Sequence, residues 1–215
     1  MHLAEIWRYP VKSMAGERLR EVKLREDGLA GDRIVSVVGP DDAVRTARRW
    51  PRLLGHRGTL GPGGSPLVDG RRWDDPSVAA DVEAAAGPGA RLVRYEELDR
   101  FDVLPLLVAT DGAIAAFGRD GRRLRPNLVV GGVEGLAERR WEGKTLRIGE
   151  CLVQAVSLRD RCVMTTYDPD TQVQDPGVLR DIVERFDGAL ALDTEVLQGG
   201  ILREGDPVEL VATGR

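Results

Sequence analysis

Arg159-Asp160-Arg161-Cys162-Val163-Met164-Thr165-Thr166-Tyr167-Asp168-Pro169-Asp170 sets a cysteine at the end of a strand-like run, with two arginines just ahead of it. Cations beside a thiol favour the thiolate, the form that attacks electrophiles or ligates soft metals. Beside Val163 and Met164 the same cysteine equally fits a small buried hydrophobe, the commoner fate of a lone cysteine. Residues 152–157 before it read as a strand, as do 127–130, 145–148 and 206–211. Residues 176–186 carry a helical pattern, with Val178, Leu179, Ile182 and Val183 on one apolar side. Many short strands with a few short helices predict a mainly β, barrel-type α+β fold rather than alternating βαβ units.

Toward the amino end, residues 3–9, 19–24, 34–38 and 53–60 read as short strands separated by turns, an antiparallel meander or barrel. Gly61-Pro62-Gly63-Gly64-Ser65-Pro66 is a loop, and no Gly-Lys-Ser/Thr follows to make it a phosphate-binding one. Asp75-Pro76 predicts the cap and first residue of a helix through Val78, Val82 and Ala86, closed by Gly87. Residues 90–95 and 104–109 are strand-like, and Thr110-Asp111 stands where a helix through Ile114 and Phe117 begins.

The whole chain has 215 residues, 42% of them hydrophobic, enough for one large core or two small ones. No run approaches the length of a membrane span, and residues 1–10 carry Glu5 and Arg8 without an apolar stretch, so no membrane association and a cytoplasmic location are expected. A net charge of −4 argues against affinity for nucleic acid. With only Cys151, Cys162, His2 and His56, the chain lacks the makings of a disulfide framework, a cysteine-rich zinc site, a cysteine-ligated iron–sulfur cluster or an HExxH site. Its chemistry must rest on Cys, Asp, Arg or a borrowed cofactor.

Thr110 and Asp111 at a helix start offer a hydroxyl and free N–H groups, the arrangement that receives phosphate, although an ordinary helix cap has the same residues. Arg125-Pro126-Asn127 brings five guanidinium donors beside an amide, suited to clamping a phosphate or reading a heterocycle edge; a surface arginine before a rigid turn looks the same. Tyr9-Pro10-Val11-Lys12-Ser13 and Gly28-Leu29-Ala30-Gly31-Asp32-Arg33 are turns at strand ends. The basic runs Arg45, Arg48, Arg49, Arg52 and Arg119, Arg122, Arg123 read as solvated faces and receive no site role.

Taken in order, these turns, then Thr-Ala-Arg-Arg-Trp-Pro-Arg-Leu (46–53), Pro-Leu-Leu-Val-Ala-Thr-Asp (105–111), Arg-Pro-Asn-Leu-Val-Val (125–130), Arg-Cys-Val-Met-Thr-Thr-Tyr-Asp-Pro-Asp-Thr (161–171) and Gly-Asp-Pro-Val (205–208) resemble the MOSC family. They resemble especially the branch that contains the mitochondrial amidoxime-reducing component and its bacterial relatives. The resemblance implies a MOSC-type β-barrel core at residues 96–215, an amino-terminal β-rich subdomain at residues 1–95, and a molybdenum cofactor between them. It makes Cys162 the protein ligand to the metal, gives Lys12, Ser13, Arg33, Thr110, Arg125 and Asn127 the pterin and its phosphate, and puts Asp111 beside the metal as the acid. The implied reaction is reduction of small N-hydroxylated substrates, amidoximes and hydroxylamines, by electrons from a separate flavin, haem or iron–sulfur protein. A carrier of cofactor or sulfur is the rival reading, and an interaction domain with an empty pocket the third.

Overall fold

The chain runs through β1 (His2–Arg8), β2 (Glu17–Leu19), β3 (Glu21–Arg25), β4 (Gly28–Leu29) and β5 (Val35–Val38). There follow β6 (Gly58–Leu60), β7 (Pro66–Val68), β8 (Arg71–Arg72), α1 (Pro76–Ala86) and β9 (Arg91–Arg94). The second half holds β10 (Leu106–Thr110), α2 (Asp111–Phe117), β11 (Leu128–Gly131), β12 (Thr145–Ile148) and β13 (Cys151–Asp160). It ends with α3 (Pro176–Phe186), β14 (Ala189–Gln198), β15 (Gly200–Arg203) and β16 (Val208–Val211). This computed structural model describes residues 1–95 and 100–211, so the division expected between residues 95 and 96 falls against residues outside that description.

Eight strands form one sheet in the order β16-β12-β13-β14-β10-β11-β1-β2. Only β10 and β11 run parallel, the crossover between them carrying α2. Strands from the first quarter of the chain are built into the later half: β1 pairs with β11, and β3 pairs with β15. The expected barrel is not a ladder closed all round among the described residues. The edge of β1 from Ile6 to Arg8 is taken by β2, so β1 and β16 are stitched only near their starts. A single bridge, His2 to Pro207, does so, with Leu3 N donating to Asp206 O at 2.8 Å and Val208 N to Met1 O at 3.0 Å.

Two large apolar clusters fill the interior. One lies on the eight-stranded sheet, with Leu3, Ile6, Leu106, Leu128, Leu146 and Leu192 all fully buried. The other joins Val11, Met14, Val35, Leu53, Val78 and Val82 from the turns, β5 and α1. Each such side chain contributes about 1.5–3 kcal/mol of hydrophobic stabilisation. Met164 and Tyr167, just beyond Cys162, pack on the second cluster, while Leu158, just before it, packs on the first. The cysteine turn therefore sits where the two clusters meet.

The helix caps follow the expected chemistry. Asp75 accepts from Ser77 N at 2.8 Å with Pro76 next in line, and Gly87 closes α1 at a φ of 89°. Residues 53–60 divide instead of forming one strand: Pro51 opens a short 3-10 turn through Gly55, and only Gly58–Leu60 pairs. Strand β14 has no expected counterpart in the sequence pattern. Its first six residues are all buried, so it lacks the alternation that marks a half-exposed strand. No helix among the described residues is long and apolar enough to cross a membrane.

Candidate functional site

A cavity of about 300 Å³ opens where the loop after β1, the Gly-Asp-Arg turn, the segment before β11 and the end of β13 converge. The loop after β1 is fixed by Lys12 N donating to Val35 O at 2.8 Å and by Ser13 Oγ accepting from Ala47 N at 3.0 Å. Asp32, fully buried, is the hub of the neighbouring turn: it accepts from Tyr9 N at 2.7 Å, from Asn127 Nδ2 at 3.2 Å and from the Arg33 guanidinium. Asn127 in turn accepts from Leu107 N at 3.2 Å and donates to Trp7 O at 3.3 Å, tying β1 to β10. Ser13, Arg33 and Arg125 all adopt left-handed backbone, with φ of 72°, 53° and 54°. For residues with a Cβ this costs about 1–2 kcal/mol each, and all three line the one cavity.

Seven cationic side chains line the cavity against three carboxylates, Asp102, Asp160 and Asp193. The half-buried Arg125 guanidinium donates to Met14 O at 2.7 Å and lies 4.3 Å from the centre of the Tyr9 ring. Burial holds its pKa below the ordinary arginine value and pushes the Tyr9 phenol up to about 12. Arg161 donates to Leu124 O at 2.7 Å, yet its buried Nε has no hydrogen-bond partner among the described residues. Burial, then the like charge of Arg159, brings Arg161 down to about 10. An unmet buried donor costs about 1–3 kcal/mol, a loss that an arriving acceptor would reverse.

One terminal nitrogen of Arg159 donates to both oxygens of Asp193, at 3.0 and 3.2 Å, and Asp102 accepts from Lys12 and Arg48 at 3.0 Å each. The two carboxyls are driven apart. Burial raises Asp193 and Arg159 only partly offsets it, whereas at Asp102 burial is outweighed by Lys12 and Arg48 and the carboxyl lies below its ordinary range. Asp102 first, and the Cys162 sulfur after burial has opposed it, hold Arg48 above its usual value.

Cys162 is half-buried and is the only thiol on this wall among the described residues. Its carbonyl accepts from Thr165 N at 3.0 Å and Thr165 Oγ1 at 2.8 Å, winding the 3-10 turn Val163–Thr166. Arg123 braces that turn from outside, donating to Thr166 O at 3.1 Å and Asp168 at 3.0 Å. Cys151 is remote from this chemistry, fully buried in the sheet core, and burial pushes its thiol up to about 11.

Six of the eight expected site residues, Lys12, Ser13, Arg33, Arg125, Asn127 and Cys162, thus share one cavity. Thr110 and Asp111 do not line it. Thr110 Oγ1 accepts from Ala113 N at 3.0 Å, capping α2, and donates to Glu138 at 3.1 Å. Asp111 accepts from the N–H groups of Gly112, Gly132 and Val133 at 2.8, 2.7 and 3.0 Å, so its oxygens are committed to the start of α2 and the turn after β11. Burial is the largest single influence on the Asp111 carboxyl and raises it, but these three bonds together outweigh burial and hold it below its ordinary value. Arg48 and Arg123, assigned by sequence to solvated faces, line the cavity, as do Asp102, Arg159, Arg161 and Asp193. The i, i+2 spacing of Arg159 and Arg161 ahead of Cys162 is the sequence signal that points to that pair.

A cation surplus, an orphaned buried donor and a single thiol suit an anionic ligand that brings a thiophilic metal with it. Among the described residues no cluster of three His, Cys, Asp or Glu side chains could hold a bare ion.

Residues 1–85 match the MOSC N-terminal beta barrel domain and residues 114–209 match the MOSC domain. The chain is similar to mitochondrial amidoxime-reducing component 1 of Homo sapiens, 24% identical over 229 aligned residues that cover 80% of this chain and 67% of that protein. It is also similar to mitochondrial amidoxime reducing component 2 of Homo sapiens, 27% identical with 80% and 68% covered. In fold it resembles the YUAD protein of Bacillus subtilis, with a TM-score of 0.53 at 13% identity, covering 97% of this chain and 93% of that one. The chain belongs to the MOSC domain family.

Proposed function

We propose that the cavity holds a molybdenum cofactor and that the loaded protein reduces N-hydroxylated compounds, amidoximes and hydroxylamines, with electrons from a separate flavin, haem or iron–sulfur protein. The observation that carries this reading is the convergence of Cys162 with Lys12, Ser13, Arg33, Arg125 and Asn127 on one cavity. Similarity to amidoxime-reducing components supports it.

Cys162 supplies the soft thiolate ligand. Lys12, Arg33 and Arg125 offset the anionic charge of the pterin phosphate, Ser13 and Asn127 position the organic part, and the unmet Nε of Arg161 donates to an acceptor on it. When bound, the group supplies two-electron reduction of an N–O bond. Turning R–NHOH into R–NH2 also consumes two protons and releases water. Asp193, whose carboxyl is raised, holds a proton at its Oδ more readily than Asp102, which stays ionised and fixes Lys12 and Arg48. The acid role therefore goes to Asp193 rather than Asp111, which is occupied at the start of α2.

Protein from a host that makes the cofactor should carry molybdenum and pterin in equal amounts. With a chemical donor that reduces the metal directly it should convert benzamidoxime to benzamidine, and with NADH alone it should not. A loaded, reducible protein that leaves every N-hydroxylated substrate untouched would overturn the reductase reading in favour of a carrier.

A further inference from the structure

Behind the wall formed by Arg123, Arg125 and Met164 lies a second chamber, about 290 Å³ in volume. It shares only those three residues with the first cavity and includes none of Lys12, Ser13, Arg33, Asn127 or Cys162. We propose that this chamber is a second ligand site, one that takes a planar aromatic acid.

The argument begins with its walls. Trp7 and Tyr167 are half-buried and line the chamber beside the buried Tyr9. Trp7 is held by Nε1 donating to Glu5 at 2.6 Å; Tyr167 packs on the second apolar cluster, and its backbone N–H donates to Met164 O. Fixed aromatic surfaces of this kind accept a flat ring with little loss of side-chain freedom. At Gly16 a Cβ would stand 2.6 Å from the Tyr9 ring, so the chain passes too close there for any side chain. The volume lies just below the roughly 300–1,000 Å³ usual for ligand sites, which suits one or two fused rings.

Charge then selects an acid. Four arginines line the chamber, Arg57, Arg122, Arg123 and Arg125, against one carboxylate, Asp170. Asp170 is already gripped by Arg122 at 2.8 and 2.7 Å. Arg123 is spent on the cysteine turn and Arg125 on Met14. Arg57 differs: its Nε donates to Gly16 O at 3.1 Å, while its two terminal nitrogens have no partner among the described residues. That free fork beside aromatic faces matches a carboxylate carried on a ring.

The proposal is independent of what fills the first cavity, and 2-naphthoate and its neutral amide test it on the full chain by calorimetric titration. Naphthoate should bind saturably. Arg57→Gln should weaken it by about fivefold or more while leaving the amide unchanged, and Tyr167→Leu should weaken both. Lys12→Met, which alters only the first cavity, should change neither. Failure of naphthoate to saturate below about 10 mM, an affinity scale at which binding is barely specific, would overturn the proposal. Equal naphthoate affinity in Arg57→Gln and the parent would also overturn it, as would loss of binding in Lys12→Met, which would move the ligand to the first cavity. Unchanged melting temperature and circular dichroism establish that each variant is folded.

Discussion

Lys12 Nζ lies 3.0 Å from Asp102 Oδ1, an ion pair that joins the loop after β1 to the segment leading into β10 across the cavity wall. Both side chains are mostly buried, so neither charge is well hydrated if its partner is lost. Asp102→Asn should destabilise the protein, and adding Lys12→Met should recover part of that loss. A denaturation cycle over the four proteins should give a coupling of about 0.5–3 kcal/mol. Additive losses would show that the pair contributes nothing to the fold.

The two cysteines should part company under alkylation. In ligand-free protein at pH 7.5 iodoacetamide should label Cys162, which lines an open cavity, and leave Cys151, which is fully buried with a thiol pushed up to about 11. Intact-mass measurement should show one adduct, and none in Cys162→Ser. Comparable labelling at both positions would contradict this assignment of the exposed thiol.

Cofactor occupancy should separate cavity residues from cap residues. Arg125→Ala removes a half-buried guanidinium, worth about 1.5–3 kcal/mol per charge-assisted bond, and should lower the molybdenum and pterin content of purified protein. Arg119→Ala, on an exposed side chain paired with Asp181 at 3.1 Å, should leave it unchanged. Thr110→Ala should cost about 1 kcal/mol of stability through loss of the α2 cap, with the content per folded molecule unaltered. A fall in content with Thr110→Ala as large as that with Arg125→Ala would return Thr110 to the binding site.

Glu138 gives a pH-dependent prediction. It is fully buried, Oε2 accepts from Thr110 Oγ1, Oε1 has no partner among the described residues, and burial raises its carboxyl. Because the folded pKa exceeds the unfolded value of about 4.3, the fold binds this proton more tightly. The resulting stability is complete below that value and is lost as pH rises through the folded pKa. Glu138→Gln cannot ionise, so its melting temperature should gain on the parent between pH 4 and pH 7.5. A difference between the two proteins that is the same at both pH values would refute this.

The helix starts were the most legible parts of the chain, because Asp75-Pro76 and Thr110-Asp111 act through bonds to residues two or three positions away. Strand β14 was illegible because burial on both faces removes the alternation that marks a strand. With it went Asp193, whose place on the cavity depends on pairing with β13. Lys12, Arg33, Arg125 and Cys162 were legible as an ordered set of motifs, whereas Arg48 and Arg123 were hidden in basic runs that look solvated. Thr110 and Asp111 show the converse: a hydroxyl and a carboxylate at a helix start serve the backbone as readily as a ligand, and only the partners decide.

The cavity draws residues from Lys12 to Asp193, and β1 finds its neighbours at β11 and at residues 206–208. A growing chain therefore has no such cavity until Asp193 has left the ribosome. The end of the first strand can pair with β2 close by, but its other edge must wait for β11, more than a hundred positions away, a long-range pairing of the kind that slows folding. A ligand that needs both walls can neither guide the early steps nor rescue them. It can only trap the finished fold, adding stability in proportion to the logarithm of its concentration over its dissociation constant. Loading with the proposed cofactor would thus follow folding, and protein made faster than that cofactor is supplied would accumulate folded and empty.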